Sequence, residues 1–155
     1  MSLDEIIKKH QKEIADDSIL IEYNLFFENV MKQDCKFVLD ENSEIGELDD
    51  IILTIKGIDR NAEIYVSTYG INWLDKKLFI YADTLWINTI IELDEISHLF
   101  QKNPNIEPCD IALWDEDETL DGVAALVVLE DGKVESYKSF MEKRELGKIK
   151  SLYWD

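Results

Sequence analysis

The clearest pattern in the chain runs over residues 122–139. Val123, Ala124, Ala125, Leu126, Val127, Val128 and Leu129 form a nearly unbroken apolar run, suited to a strand buried on both faces. Asp131 and Gly132 follow, a pair that suits the positive φ angles of a two-residue type I′ turn. The return arm alternates, with Val134, Ser136 and Lys138 on one side and Glu135, Tyr137 and Ser139 on the other. The pattern predicts a β-hairpin at 122–139 whose first strand is central in a sheet.

The rest of the chain divides by period. Leu3, Ile6, Ile7, His10 and Ile14 keep helical spacing, with Ser2 and Glu5 placed as a capping box. Asp16, Asp17 and Ser18 offer a stop and a new cap. Ile19, Leu20, Tyr23, Phe26, Phe27, Val30 and Met31 then mark one face of a second helix, although residues 19–23 also suit a strand. Phe37, Val38 and Leu39 predict a short strand. Residues 40–50 hold six acids and no base, a density that predicts a solvated loop. Residues 51–55 and 62–68 are rich in β-branched side chains and predict an antiparallel pair, with Gly70 breaking the second run. Residues 77–89 predict one long strand or two short ones. Asp94 caps a brief helix carrying Ile96, Leu99 and Phe100. Residues 111–114 form a short apolar run, residues 140–147 a helical turn or two, and residues 148–154 an edge strand.

At 155 residues and 46% apolar content the chain has enough material for one folded domain, 1–155, without disulfides or metal. The architecture expected is α+β: N-terminal helices packed on a mainly antiparallel sheet of five to seven strands. Cys35 and Cys109 lie far apart with no C-x-x-C spacing, as in a reducing, cytoplasmic setting. No apolar stretch approaches the length needed to span a bilayer.

Charge changes this picture more than composition does. The chain carries 34 acids against 16 bases, net −18. Such a field repels nucleic acid and anionic membranes and speeds encounter with basic proteins. Residues 133–150 are locally basic, and their expected role is to neutralise acids of the same molecule.

Candidate chemistry concentrates after the apolar run at 111–114. There Asp115, Glu116, Asp117, Glu118, Thr119 and Asp121 follow Trp114 directly. An apolar strand followed by D-x-D-x-T resembles the first motif of haloacid-dehalogenase-type phosphotransferases. The resemblance implies Asp115 as nucleophile, Asp117 as general acid/base and a bridging magnesium. In that family well over a hundred residues follow the motif on a parallel α/β fold, whereas 36 follow Thr119. Read as a calcium loop, the segment has Leu120 where glycine is needed and Leu126 in place of the closing glutamate. His10 and His98, the two histidines, have no second ligand at metal spacing. No hydrolase, P-loop, dinucleotide or zinc-protease motif occurs.

These features point away from catalysis and toward recognition, with no cofactor and no metal. The expected function is a non-catalytic acidic module that binds and neutralises a basic protein partner, as a toxin-immunity protein does. The expected contacts are Trp114, Asp115, Glu116, Asp117, Glu118 and Asp121, an aromatic anchor beside carboxylates that set the encounter rate. Residues 40–50 form a second candidate surface. Two alternatives are a cation-dependent enzyme using Asp115, Asp117 and Asp121, and a DNA mimic whose carboxylates imitate phosphate spacing.

Overall fold

The computed structural model describes the chain apart from residues 1, 16–17, 33–34, 40, 75–76 and 115–123, and apart from the side chains of residues 31, 42, 73 and 74. In order, the elements are α1 (Leu3–Lys9), α2 (Gln11–Ile14), β1 (Leu20–Glu22), α3 (Tyr23–Met31), β2 (Cys35–Phe37), α4 (Asn42–Ile58), β3 (Glu63–Leu74), β4 (Lys77–Asn88), α5 (Leu93–Phe100), β5 (Asp110–Leu113), β6 (Leu126–Val128), β7 (Val134–Ser136), α6 (Tyr137–Glu142) and β8 (Ile149–Tyr153). The strands join one sheet in the order β5-β8-β4-β3-β1-β6-β7, with β2 beside the first half of β4. Only β1–β6 and β2–β4 are parallel among the described pairs. The fold is therefore α+β with a mainly antiparallel sheet, of eight described strands rather than five to seven.

Alternation along the strands sends side chains to two different cores. On one face Ile21, Ile64, Val66, Leu85, Ile87, Leu126, Val128 and Leu152 pack beneath α1 to α5. On the other, Leu20, Tyr65, Trp86, Val127 and Ile149 pack with Trp114 and with Tyr137 and Phe140 of α6. Tyr65, Trp86 and Phe140 meet one another with ring centroids 5.0 to 5.5 Å apart, mostly edge-to-face. A sheet covered on both sides explains why β6 reads as an unbroken apolar run.

Several boundaries differ from the sequence reading, each for a physical reason. The second helix begins at Tyr23, and Leu20–Glu22 is instead a strand buried on both faces between β3 and β6. Glu22 ends that strand and caps α3, accepting a hydrogen bond from the Leu25 N–H at 3.0 Å. Residues 51–55 are not a strand, and the acidic stretch before them is not a loop; from Asn42 onward both belong to α4. Ile45, Leu48, Ile52 and Ile55 fall on one face of that helix, and its acids crowd the N-terminal half, where the helix dipole favours them.

The partner of β3 is accordingly β4, from Glu63↔Asn88 to Leu74↔Lys77. Gly70 does not end β3. Register shifts on either side of Thr68 leave Tyr69 and Asp83 unpaired, a pair of bulges that let the strand run on. At the same point β4 changes neighbour, from β2 at Ala82 to β8 at Thr84. The last strand, β8, lies between β4 and β5 and so is internal, not an edge. Glu92 rather than Asp94 precedes the helix α5.

The hairpin is present, with β6 internal, but it is shorter than 122–139: it pairs Leu126↔Ser136 to Val128↔Val134. Residues 122–123 lie outside the described residues, and Tyr137 to Ser139 begin α6 instead of extending the return strand. The hairpin's turn is not type I′. Gly132 alone has positive φ, +86°, while the Leu129 and Lys133 backbones close the loop and Asp131 accepts from the Lys133 N–H at 2.9 Å. This is a three-residue loop with glycine in the left-handed position. Asp131 does not take the second positive φ that type I′ demands.

Candidate functional site

Trp114 is a core side chain. It is 8% exposed, and its Nε1 donates to the Tyr137 hydroxyl at 2.9 Å. β5 ends one residue earlier, and the Trp114 N–H reaches back to the Ile149 carbonyl at 2.9 Å, which turns the indole under α6. A ring held this way is a core side chain rather than an exposed anchor. Asp115, Glu116, Asp117, Glu118 and Asp121 lie outside the described residues. Trp86 of β4 is fully buried in the same core as Trp114.

The basic stretch is spent close to home. Five ion pairs occur among the described residues, and four use it: Lys133 with Asp131, Lys143 with Glu135, Arg144 with Glu63, and Lys148 with Glu145. Arg144 is the best held. It donates from Nε to Glu63 at 2.9 Å and lies over the Phe140 ring, 3.5 Å from its centroid. Burial opposes the charge on Glu63, but the bonds from Arg144 and Asn88 outweigh it, so its carboxyl titrates below the usual range. These two residues line an open recess of about 460 Å³ with Tyr65, Leu129, Glu130 and Asp131. The nearby Glu22 behaves oppositely: burial raises it, against the lowering effect of the Leu25 and Asn24 N–H groups.

The second candidate surface falls almost wholly among the described residues. Glu41 precedes α4, and Glu44, Glu47, Asp49 and Asp50 ride on it; apart from Asp49, which accepts from the Tyr23 hydroxyl at 2.6 Å, their carboxylates have no hydrogen-bonding or ionic partner among the described contacts. At 100° per residue, Glu47, Ile51, Thr54 and Ile58 form one ridge, at i, i+4, i+7 and i+11. Facing it across a groove is α5, with Asp94, Glu95, His98 and Leu99.

This groove has two compartments. One, of about 390 Å³, is lined by Ile58, Ile91, Asp94, Glu95, His98 and Leu99. The other, of about 230 Å³, lies between Asp50, Ile51 and Thr54 of α4 and His98, Leu99, Lys102 and Asn103. His98 and Leu99 border both. Ile58 is 56% exposed and Ile90, at the entrance to α5, 65% exposed. Large apolar groups left in solvent beside carboxylates mark a contact surface more than they mark a pocket for chemistry.

A buried polar knot beside the groove ties the end of α4 to the end of β4. Asp59 closes α4, and its carboxylate accepts from the Thr89 hydroxyl at 2.7 Å and from the N–H groups of Ile90 and Asn61 at 3.1 Å each. The Thr89 bond, more than the others, lowers the Asp59 pKa against the opposing effect of burial. Lys150, also buried, donates to the Thr89 and Lys148 carbonyls at 2.6 and 3.0 Å. Burial lowers its amine pKa, while Glu92 and Asp59 pull the other way.

Sequence reasoning singled out the acids of residues 40–50 but missed the groove beside them, because α4 was divided between a loop and a strand. The usable signal was Ile58, an apolar residue off the core-facing stripe. Among the described residues no group of three or more His, Cys, Asp or Glu is placed to hold a metal ion, and no helix is long and apolar enough to cross a membrane. His10 closes α1 and contacts Glu13 through Nδ1 at 3.0 Å. What fold and surface define together is an α+β protein with an acidic, apolar-floored helical face. No family model, curated protein or solved structure matches the chain.

Proposed function

We propose that the chain is a non-catalytic acidic interaction module that binds and neutralises a basic protein partner, in the manner of toxin-immunity pairs. The observation that carries this reading is the distribution of unpaired charge. The acids of α4 and α5 take no part in the ion pairs among the described residues, while four of the six bases in residues 133–150 pair with other acids of the molecule. Asp94 and Glu95 line the same compartment as exposed Ile58, and Asp50 lines the adjoining one. Collected there, they supply long-range attraction and the apolar groups supply contact area.

The test is capture from a lysate of the source organism at low and high ionic strength, with the chain and with a variant carrying Glu44→Gln, Glu47→Gln, Asp50→Asn and Glu95→Gln. The wild type should retain a basic protein at low salt and release it at high salt, and the variant should lose it. Retention of no basic protein, or equal retention by the variant, overturns the reading.

A further inference from the structure

We infer that the groove between α4 and α5 receives a basic, amphipathic α-helix of the partner protein. The inference rests on the acidic-module reading above and names what its partner presents.

Three features of the groove select this occupant. Its walls are helices whose backbones are bonded internally, so it offers no row of N–H and C=O groups to an extended chain. A segment lying in it has to satisfy its own backbone, as a helix does. Its floor is apolar and divided into two compartments by His98 and Leu99. From Asp50 to Ile58 the α4 wall runs about 12 Å at 1.5 Å per residue, close to the ~10.5 Å between anchors at i and i+7 on a docked helix. Two large apolar side chains one heptad apart fit this spacing.

Its rim fixes the sign of the charge. Glu47 and Asp50 stand along α4, and Glu92, Asp94 and Glu95 at the start of α5, against Lys102 at the far end. Lysine or arginine flanking the apolar stripe of the incoming helix is therefore favoured, most of all at the end that meets Asp94 and Glu95. A second copy of this chain brings the same net −18 and is disfavoured by it.

The probe is a labelled synthetic helix of about 18 residues, five turns, with leucines at i, i+3, i+4 and i+7 and lysines on either side. Its control is a scrambled peptide of the same composition. Fluorescence anisotropy with the full chain should show the amphipathic peptide binding about tenfold tighter than the scrambled one. Methyl shifts in the NMR spectrum should centre on Ile58, Ile91 and Leu99.

Ile58→Asp is the decisive variant because two explanations give opposite signs. It adds a negative charge, which strengthens attraction that is merely electrostatic, yet it removes the apolar contact and should weaken binding about tenfold if the groove is the site. Ile58→Ser repeats the test without a new charge at the C-terminal end of α4. Equal binding of both peptides, or stronger binding by Ile58→Asp, overturns the groove and leaves the acidic-module reading intact. Capture of a basic protein from lysate with no binding of the amphipathic peptide does the same. Self-association of the chain abolished by Ile58→Asp assigns the groove to a second copy and also overturns the inference.

Discussion

Replacing Asp59 by alanine removes the carboxylate that ties the end of α4 to the end of β4. Three hydrogen bonds disappear, but they do not count equally. Ile90 is exposed and Arg60 and Asn61 lie on an open turn, so water takes over the donors of Ile90 and Asn61. Thr89 is 2% exposed, and its hydroxyl has no such replacement. A hydrogen bond to a charged group is worth about 1.5–3 kcal/mol, and the lost attraction to buried Lys150 adds to it. Asp59→Ala should therefore cost about 2–4 kcal/mol, and Asp59→Asn, which keeps one carbonyl oxygen for Thr89, about 1–2 kcal/mol. Urea unfolding followed by far-UV circular dichroism measures both as shifts in midpoint at constant m-value.

The pH dependence supplies an independent check with a definite sign. Asp59 titrates below the ordinary aspartate value of 3.8 in the folded protein, so its stabilisation is complete above that value and is lost as pH falls through it toward the folded-state value. The gap between wild type and Asp59→Asn should thus be constant near neutrality and close in acid below pH 3.8. The comparison has to be made against the Asn variant. A chain of net −18 also gains stability in acid as its self-repulsion fades, and that contribution cancels in the difference. Thr89→Val in both backgrounds should give a coupling energy of at least about 1 kcal/mol. An Asp59→Ala protein within about 0.5 kcal/mol of wild type, or a gap that persists unchanged into acid, refutes the knot as the fastening of the groove.

Three further outcomes are expected. Tyr137→Phe strands the buried Trp114 Nε1 without an acceptor and should cost about 1–3 kcal/mol in thermal or urea unfolding; an unchanged midpoint shows that the indole is not held by that bond. Lys150→Met trades a desolvated ammonium for a thioether of similar length. Stability near pH 7 should stay within about 1 kcal/mol of wild type. The wild-type rise in stability as pH climbs toward 10.5, where the unfolded amine still holds its proton and the folded one releases it, should flatten; a profile identical to wild type rejects the buried-amine account. Gly132→Ala forces a side chain onto φ +86° and brings a Cβ to 3.4 Å from Ile6 Cδ1, so a loss of about 1–2 kcal/mol is expected by the same assay; a neutral variant means that the turn relaxes to another form.

Legibility followed whether an element's own residues carry its signal. The hairpin, the Ser2 cap of α1 and the long strand β4 are local: each has its period, turn or cap within the segment that forms it. β1 is not of this kind. Three residues buried on both sides satisfy helical and strand spacing alike, and what decides for a strand is the company of Ser67 and Val127, far away in the chain. In α4 two correct local facts were joined to the wrong element. Six acids repel one another, and isoleucine suits strands, but isoleucine forfeits only tenths of a kcal/mol in a helix and acids gain from an N-terminal position. The burial of Leu48, Ile51, Ile52 and Ile55 outweighs both.

The proposed contact surface is not legible in either segment by itself, because a groove belongs to two elements and to neither sequence alone. Trp114 drew notice for standing beside the densest acids, yet a tryptophan is as ready to fill a core as to mark a surface, and the Tyr137 hydroxyl decides between them. The better guide was the opposite kind of residue. Once Ile45, Leu48, Ile52 and Ile55 are assigned to the core, Ile58 remains on the flank of α4 with nothing of its own molecule to bury it, and α5 brings Leu99 and two carboxylates to the same flank. An apolar side chain that its own fold leaves uncovered, set inside a rim of one sign of charge, identifies a surface by what the core did not use.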